Sequence, residues 1–221
     1  MPSAGRVIAG RARGLRLAAP GDQTRPLADR VKETLFAILE PELLDARFLD
    51  CCAGSGAAGI EALSRGAALA VFVERDPRAV AVIEENLAHT RLAAAGRVVR
   101  GEALAYLRGR GREDGPFDVV FVDPPYAATE LARSILAQLA DPGAMLLTGH
   151  GVVVVKHFWR EAPPDRIGLL ASFRERRFGE TALTFYRRGP APVAQDTASS
   201  GDRPAGPATT EDPGARGARQ R

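Results

Sequence analysis

Two consecutive prolines follow an acidic residue at the end of an apolar run, in the segment FVDPPYA of residues 121–127. Asp123 supplies a carboxylate, and Tyr126 supplies an aromatic ring three positions later. Pro124 and Pro125 have no N–H group to donate and their rings fix φ, so the chain must leave the predicted strand here. The sequence therefore predicts a rigid corner with an acid on one side and an aromatic ring on the other.

A glycine-rich segment, LDCCAGSGAAG at residues 49–59, is the second motif that could support chemistry. Gly54, Gly56 and Gly59 match the pattern G-x-G-x-x-G between a predicted strand and a predicted helix. Glu74 ends the next predicted strand, where a carboxylate accepts hydrogen bonds from both hydroxyls of a ribose. The alternatives are a loop that only allows helix–strand packing and a solvated surface acid. The two features together favour a cofactor that contains a nucleoside.

Asp50 discriminates between two classes of cofactor. A nicotinamide dinucleotide places its pyrophosphate at the helix N-terminus, and a carboxylate just before the glycines would repel it. S-adenosylmethionine has no phosphate, and its ammonium group is attracted by the same carboxylate. Glu102 and Ala103 follow the third strand of this run and are expected to frame an adenine. The sequence therefore predicts an S-adenosylmethionine site that comprises Asp50, Gly54, Ser55, Gly56, Glu74, Arg75, Glu102 and Ala103.

Alternating strands and amphipathic helices must position these motifs. Hydrophobic periodicity predicts strands at 47–52, 70–75, 97–101, 117–123 and 152–157, separated by helices at 57–66, 77–92, 102–110 and 130–140. This order predicts an α/β fold with a doubly wound, Rossmann-like and mostly parallel sheet. Two more strands within 171–188, joined by a Gly-containing turn, predict a closing hairpin whose last strand adds antiparallel.

The composition divides the chain into three regions. Residues 1–45 contain a predicted basic β-hairpin and a helix, which we expect to pack on the core of residues 46–188. After Val193 there is no Val, Leu, Ile, Met or aromatic residue, so burial cannot offset the entropy of ordering this segment. Residues 189–221 are therefore predicted to be a disordered tail.

Charge and residue usage narrow the class of protein. The 221 residues carry a net charge of +3, and much of the basic excess lies in residues 1–32. The only two cysteines, Cys51 and Cys52, are adjacent in an apolar run and are expected to be buried thiols of a reducing compartment. The three histidines are scattered, which indicates no metal site. No stretch approaches the ~18 apolar residues of a membrane span, and no secretory leader is evident, so we expect a cytoplasmic protein.

The segment DPPY resembles the Asp/Asn-Pro-Pro-Tyr/Phe signature of amino-group methyltransferases. The resemblance implies three catalytic residues: Asp123 and the Pro124 carbonyl accept hydrogen bonds from an exocyclic amine, and Tyr126 stacks on the base. This role is physically reasonable, because the lone pair of a base amine is delocalised into the ring. Two acceptors that pull on its protons favour the pyramidal nitrogen that attacks a methyl group.

Residues 5–188 are similar throughout to the bacterial 16S (small-subunit) ribosomal RNA guanine-N2 methyltransferases. The resemblance rests on the two motifs and on RVIAGRARGLRL, TRPLADRVKETLFAIL and RRFGETALTFYRR, of which RPLADRVKE at 25–33 is the most family-specific. It implies a class I methyltransferase core that methylates N2 of one guanine in ribosomal RNA, within an assembling or assembled small subunit. A monomer is favoured. Lys156 departs from the family pattern, which commonly has an acid there.

Arginines near the N-terminus are the candidate RNA contacts. Arg11, Arg13 and Arg16 lie in the predicted hairpin, and Arg25 and Arg30 flank the start of the predicted helix. These side chains are suited to phosphate contacts. The alternatives are that the hairpin arginines only keep an exposed segment soluble, and that Arg30 forms an ion pair with Glu33 one helical turn later.

Three other functions remain open from the sequence. An NAD-dependent oxidoreductase would use the glycine motif for a dinucleotide, but Asp50 disfavours it. A non-catalytic RNA-binding protein would not need the complete DPPY segment. An amino-methyltransferase acting on another RNA or on DNA adenine would use the same chemistry; the basic N-terminal region and the lack of an evident target-recognition domain favour RNA.

Overall fold

Strands and helices alternate along most of the chain, as the sequence predicts. The computed structural model describes residues 3–21, 27–125 and 128–189. Within these ranges the strands are β1 (Ser3–Arg6), β2 (Arg16–Ala18), β3 (Arg47–Cys51), β4 (Leu69–Glu74), β5 (Gly96–Arg100), β6 (Phe117–Val122), β7 (Leu147–Phe158), β8 (Arg166–Ile167), β9 (Leu170–Phe178) and β10 (Thr181–Arg188). The helices are α1 (Asp29–Leu39), α2 (Ala57–Ser64), α3 (Pro77–His89), α4 (Ala103–Arg108), α5 (Gly111–Asp114) and α6 (Thr129–Ala140). Only α5 and β8 were not predicted, because elements of four and two residues show no hydrophobic period.

Eight strands of the described ranges form one sheet in the order β5-β4-β3-β6-β7-β10-β9-β8. The five strands from β5 to β7 are parallel, and β10 pairs antiparallel with both β7 and β9. The chain reverses between β9 and β10 at Gly179, whose φ of 61° lies in the left-handed region that glycine adopts readily. The predicted fold class is confirmed, including the antiparallel addition at the end.

Helices cover both faces of the parallel strands. Within β6, Val119 and Phe121 belong to the core beneath α1, α2 and α3, whereas Val120 and Val122 belong to the core beneath α4 and α6. Strands buried on both faces read as continuous apolar runs, as this one does. The loops that leave β3, β4, β5 and β6 all lie at the carboxyl edge of the sheet, where doubly wound folds bind ligands.

The N-terminal hairpin of β1 and β2 packs along α2. Gly10, at the tip of the hairpin, has a φ of 80°, and a Cβ added there would lie 1.8 Å from the Ser64 carbonyl oxygen. The N–H groups of Arg11 and Ala12 donate to the Ser64 carbonyl and hydroxyl oxygens, at 2.8 and 2.9 Å. The tip therefore contacts the last turn of α2, at the end opposite to the glycine loop.

A buried ion pair fixes the loop end of this hairpin and the start of α1 to α2. Glu61 accepts hydrogen bonds from the N–H groups of Ile8 and Ala9, at 2.7 and 3.0 Å, and from Arg65 at 2.8 Å. Lys32 Nζ lies 4.0 Å from Glu61, and both side chains are fully buried. Burial lowers the pKa of Lys32, and the nearby Glu61 carboxylate opposes this change. Lys32 is thus a core residue and not part of an exposed basic surface.

The chain divides into two units, Met1–Ala191 and Pro192–Arg221. The predicted tail, from Pro190 onward, lies outside the described residues, as do the predicted site residues Arg25 and Tyr126. Across the described ranges, no helix is long and apolar enough to cross a membrane.

Candidate active site

A cavity of about 450 Å³ lies at the carboxyl edge of the sheet, a size typical of small-molecule sites. The ends of β3, β4 and β6 and the starts of α2 and α4 contribute to it. It brings together most of the residues that the sequence assigned to cofactor binding and to catalysis. From those assignments its lining includes Asp50, Gly54, Ser55, Glu74, Arg75, Glu102, Ala103, Asp123 and Pro124.

The glycine loop joins β3 to α2 at the wall of the cavity. Gly54 and Gly56 have φ angles of 57° and 76°, which a residue with a side chain adopts only with strain. Gly56 does not line the cavity: a Cβ there would lie 3.2 Å from the Ile83 side chain. Gly59 packs even more closely, with a notional Cβ 2.3 Å from the Phe72 ring. The second and third glycines therefore serve the turn and the helix–strand packing, and the first approaches the ligand space.

Glu74 is held at the end of β4 by backbone N–H groups. Its Oε2 accepts from Gly54 at 2.8 Å, and its Oε1 accepts from Arg75 and Asp76 at 2.8 and 2.9 Å. A carboxylate has about four lone-pair positions, and three are used here, so about one remains to accept from a ribose hydroxyl. The bond from Gly54 also ties β4 to the glycine loop, which the sequence spacing alone did not indicate.

Asp50 lies at the floor of the cavity and is almost fully buried, at 1% exposure. Its Oδ2 accepts from the Gly59 N–H at 3.0 Å. Burial raises the pKa of Asp50 well above its ordinary value, the Gly59 hydrogen bond opposes this, and Asp123 and Glu74 add to it. A cation bound nearby would favour the ionised carboxylate.

Glu102 and Arg75 close the cavity on the β5 side. Arg75 Nη1 lies 3.6 Å from Glu102 Oε1, and both side chains are more than half exposed. Ala103 is buried at the first position of α4. Cys52, which the sequence did not assign to the site, also lines the cavity; burial raises the pKa of its thiol to about 12, so the thiol stays neutral.

Asp123 and Pro124 also line the cavity, directly after β6. The Asp123 N–H donates to the Cys51 carbonyl at 3.4 Å, which ties the motif to the end of β3. The Ala128 N–H donates to the Pro125 carbonyl at 2.8 Å. Burial raises the pKa of Asp123, and a neighbouring ammonium group opposes this. The chain leaves β6 before Asp123, and Asp123 lines the same cavity as the cofactor residues.

That ammonium belongs to Lys156, near the end of β7. Its Nζ donates to both oxygens of Asp123, at 2.7 and 2.8 Å. Only 11% of the Lys156 side chain is exposed. The sequence marked Lys156 as a departure from a family pattern but gave it no role. A usable signal was present: a lysine at the carboxyl end of an otherwise apolar parallel strand, next to the strand that carries the motif.

The candidate RNA contacts lie in different places. Arg11, Arg13 and Arg16 are exposed. Arg11 donates to the carbonyl of Leu63 in the last turn of α2. The hairpin tip therefore lies at the end of α2 that is far from the cavity. Arg30 is exposed on the first turn of α1, and the ion pairs of the described ranges do not include one with Glu33. The structure thus does not gather these arginines around the cavity.

Residues 5–187 match the family described as Conserved hypothetical protein 95. The chain belongs to this family. Ribosomal RNA small subunit methyltransferase D of Escherichia coli strain K12 is 39% identical over 184 residues, which are 83% of this chain and 89% of the relative. The solved structure of Escherichia coli yhhF is 36% identical with a TM-score of 0.74 and covers 83% of this chain and 97% of that chain.

A more distant structure extends the comparison of the fold. An RNA methyltransferase from Salinibacter ruber, solved in complex with S-adenosyl-L-homocysteine, has a TM-score of 0.56 at 16% identity and covers 77% of this chain and 97% of that chain. At this identity the likeness concerns the fold alone. The resemblance drawn from the sequence is confirmed for the family, and the sheet of this Conserved hypothetical protein 95 member is that of Rossmann-like methyltransferases.

Proposed function

We propose that this protein uses S-adenosylmethionine to methylate the exocyclic N2 amine of a guanine in 16S ribosomal RNA, in the bacterial cytoplasm. One observation carries the proposal: a single cavity is lined both by the cofactor residues and by Asp123 and Pro124. The choice of ribosomal RNA is supported by the name of the Escherichia coli relative. The choice of the guanine N2 amine rests on the resemblance described from the sequence.

The charge of the cavity favours S-adenosylmethionine over a dinucleotide. The lining holds the acids Asp50, Glu74, Glu102 and Asp123, against the cations Arg75 and Lys156. A pyrophosphate would bring two more negative charges into this acidic, partly buried space, which is unfavourable. A cofactor with an ammonium and a sulfonium is attracted instead, and Glu74 and Asp50 would hold its ribose and its ammonium group.

Asp123 and Pro124 suit an amine as methyl acceptor. When bound, the cofactor supplies a methyl group on a sulfonium, which reacts in line with a nitrogen lone pair. Asp123 and the Pro124 carbonyl accept hydrogen bonds from the two N–H groups of the amine, which localises that lone pair on nitrogen. In this transfer the nitrogen–methyl bond would form as the sulfur–methyl bond breaks, and the proton lost by the nitrogen would pass to water. The products are an N-methylated base and S-adenosylhomocysteine.

Labelled S-adenosylmethionine tests this function directly. The protein is incubated with naked small-subunit RNA, with small ribosomal subunits and with DNA that contains unmethylated adenine, and the methylated base is then identified by mass spectrometry. We expect N2-methylguanine at one position of the RNA. A methylated adenine in DNA would establish the alternative amino-methyltransferase, and binding of NADH without methyl transfer would overturn the cofactor assignment.

A further inference from the structure

Lys156 and Asp123 form an ion pair in the lining of the cavity. Both line the cavity, and Lys156 Nζ contacts both carboxylate oxygens, at 2.7 and 2.8 Å. The side chains are 11% and 23% exposed. Surface pairs contribute little because water screens them, but a pair this sheltered constrains both the orientation and the ionisation of the acid.

Sheet register produces the pair. β6 and β7 are parallel neighbours, and Val122 lies opposite Val155. Asp123 follows Val122 directly after β6, and Lys156 follows Val155 within β7. The two residues therefore lie side by side at the carboxyl edge of the sheet. β10 supports Lys156 from the other side, because Leu183 lies opposite it in an antiparallel pair. The lysine is therefore anchored by strands on both sides and does not depend on a loop for its position.

We infer that Lys156 is a positioning residue for the methyl transfer: its ammonium holds the Asp123 carboxylate ionised and oriented to accept the protons of the target amine. The inference rests on the proposed function, since it assigns Asp123 its part in that reaction. Two of the roughly four lone-pair positions of the carboxylate are engaged by Lys156, and the remaining positions stay available to the amine.

The surroundings of Asp123 explain why a cation is needed there. Burial raises the pKa of Asp123, and an acid that takes up a proton loses acceptor capacity for the amine. Neighbouring elements add further acids: Asp50, the penultimate residue of β3, and Glu74, the last residue of β4, share the cavity with Asp123. Lys156 opposes these effects at contact distance. Among the described residues, the other ionisable groups that line the cavity or the adjoining groove are Cys52, Arg75, Glu102, Arg133, His157 and Glu161.

The test is a pH profile of the single-turnover rate for Lys156→Met, which removes the charge and keeps an unbranched side chain. Without the ammonium the pKa of Asp123 rises further, so the acidic limb of the profile moves to higher pH. We expect the rate at neutral pH to fall by on the order of tenfold or more and to approach the wild-type rate at alkaline pH. Lys156→Arg keeps the charge and should keep the limb close to its wild-type position.

Arg108→Met is the matched control, because it removes one positive charge from the exposed last turn of α4. Arg108 lines neither the cavity nor the adjoining groove, and its loss should leave the pH profile in place. Cofactor affinity, measured by calorimetry, should be unchanged in all three variants. A Lys156→Met protein that is folded but loses rate equally at every pH, or that loses cofactor affinity, would overturn the inference.

A second measurement separates this inference from the proposed function. The carboxyl carbon of Asp123, labelled with ¹³C and assigned with Asp123→Asn, reports its ionisation directly by NMR. Its titration should move to higher pH in Lys156→Met, whether or not an RNA substrate is present; an unchanged titration contradicts the role of Lys156. If the wild-type protein instead methylates no RNA while the titration moves as expected, the proposed function fails and the coupling of the two residues stands.

Discussion

The carboxylate of Asp123 is the single group whose removal should separate methyl transfer from cofactor binding. Asp123→Ala removes one acceptor for the amine and leaves the glycine loop and Glu74 in place. We expect the methylation rate to fall by about 10²- to 10³-fold, as for other preorganised polar groups, with nearly normal affinity for S-adenosylmethionine. Single-turnover assays and calorimetry measure the two quantities. A variant with near-normal turnover would refute the role of Asp123.

Substitution of Glu74 should weaken cofactor binding, in contrast to substitution of Asp123, which should lower the methylation rate. Glu74→Gln keeps the size of the side chain but weakens its charged hydrogen bonds, each of which contributes roughly 1.5–3 kcal/mol. We expect the dissociation constant for S-adenosylmethionine to rise by at least about tenfold. Glu85→Gln, on the exposed side of α3, is the control and should bind normally. Equal affinities of the two variants in calorimetry would remove Glu74 from the site.

At the scale of elements, the position of the RNA-binding surface can be tested by replacing arginines in two elements, the N-terminal hairpin and β9. The N-terminal hairpin carries Arg11, Arg13 and Arg16, whereas β9 carries Arg174, Arg176 and Arg177, all exposed. Replacing the three hairpin arginines by alanine should raise KM for the ribosomal substrate and preserve most of kcat, because uniform binding energy is lost. Each lost phosphate contact should also reduce the slope of log affinity against log salt by about 0.7 to 0.9.

If the hairpin variant behaves normally, a second variant, with Arg174, Arg176 and Arg177 of β9 replaced by alanine, tests whether the RNA-binding surface lies there. Arg177 lies 3.5 Å from the centroid of the Trp159 ring, just beyond the end of β7. This places the β9 arginines at the same edge of the sheet as Asp123. An unchanged salt slope in the hairpin variant, together with a reduced slope in the β9 variant, would move the RNA surface to this edge.

At the scale of the whole molecule, the Glu61–Lys32 pair links the N-terminal region to the core. Glu61→Gln removes the main counter-charge of the buried Lys32 and leaves only the partly exposed Asp29 near it, and removing one partner of a buried pair costs about 3–5 kcal/mol. We expect the free energy of unfolding in urea to fall by that amount. Glu42→Gln, which breaks a more exposed ion pair with Arg187, should cost less than about 1 kcal/mol. Similar losses in the two variants would show that the buried pair does not hold the hairpin.

Much of this protein is determined by local sequence. The periods of the apolar residues, the glycine motif and the prolines after Asp123 predicted the parallel sheet, the loop at Gly54 and the rigid corner. These features depend on neighbours in the chain, and backbone physics links them directly to residue type. The family resemblance could be stated for the same reason, since its motifs are short and contiguous.

Only the tertiary structure decided which distant residues meet. The sequence suggested a basic N-terminal surface, but folding buries Lys32 against Glu61 and places Arg11 at the far end of α2. The register of β6 and β7 brings Lys156 to Asp123, which are 33 positions apart in the chain. Such pairings follow from strand order and register, and these are set by the summed packing of the whole core rather than by any local pattern.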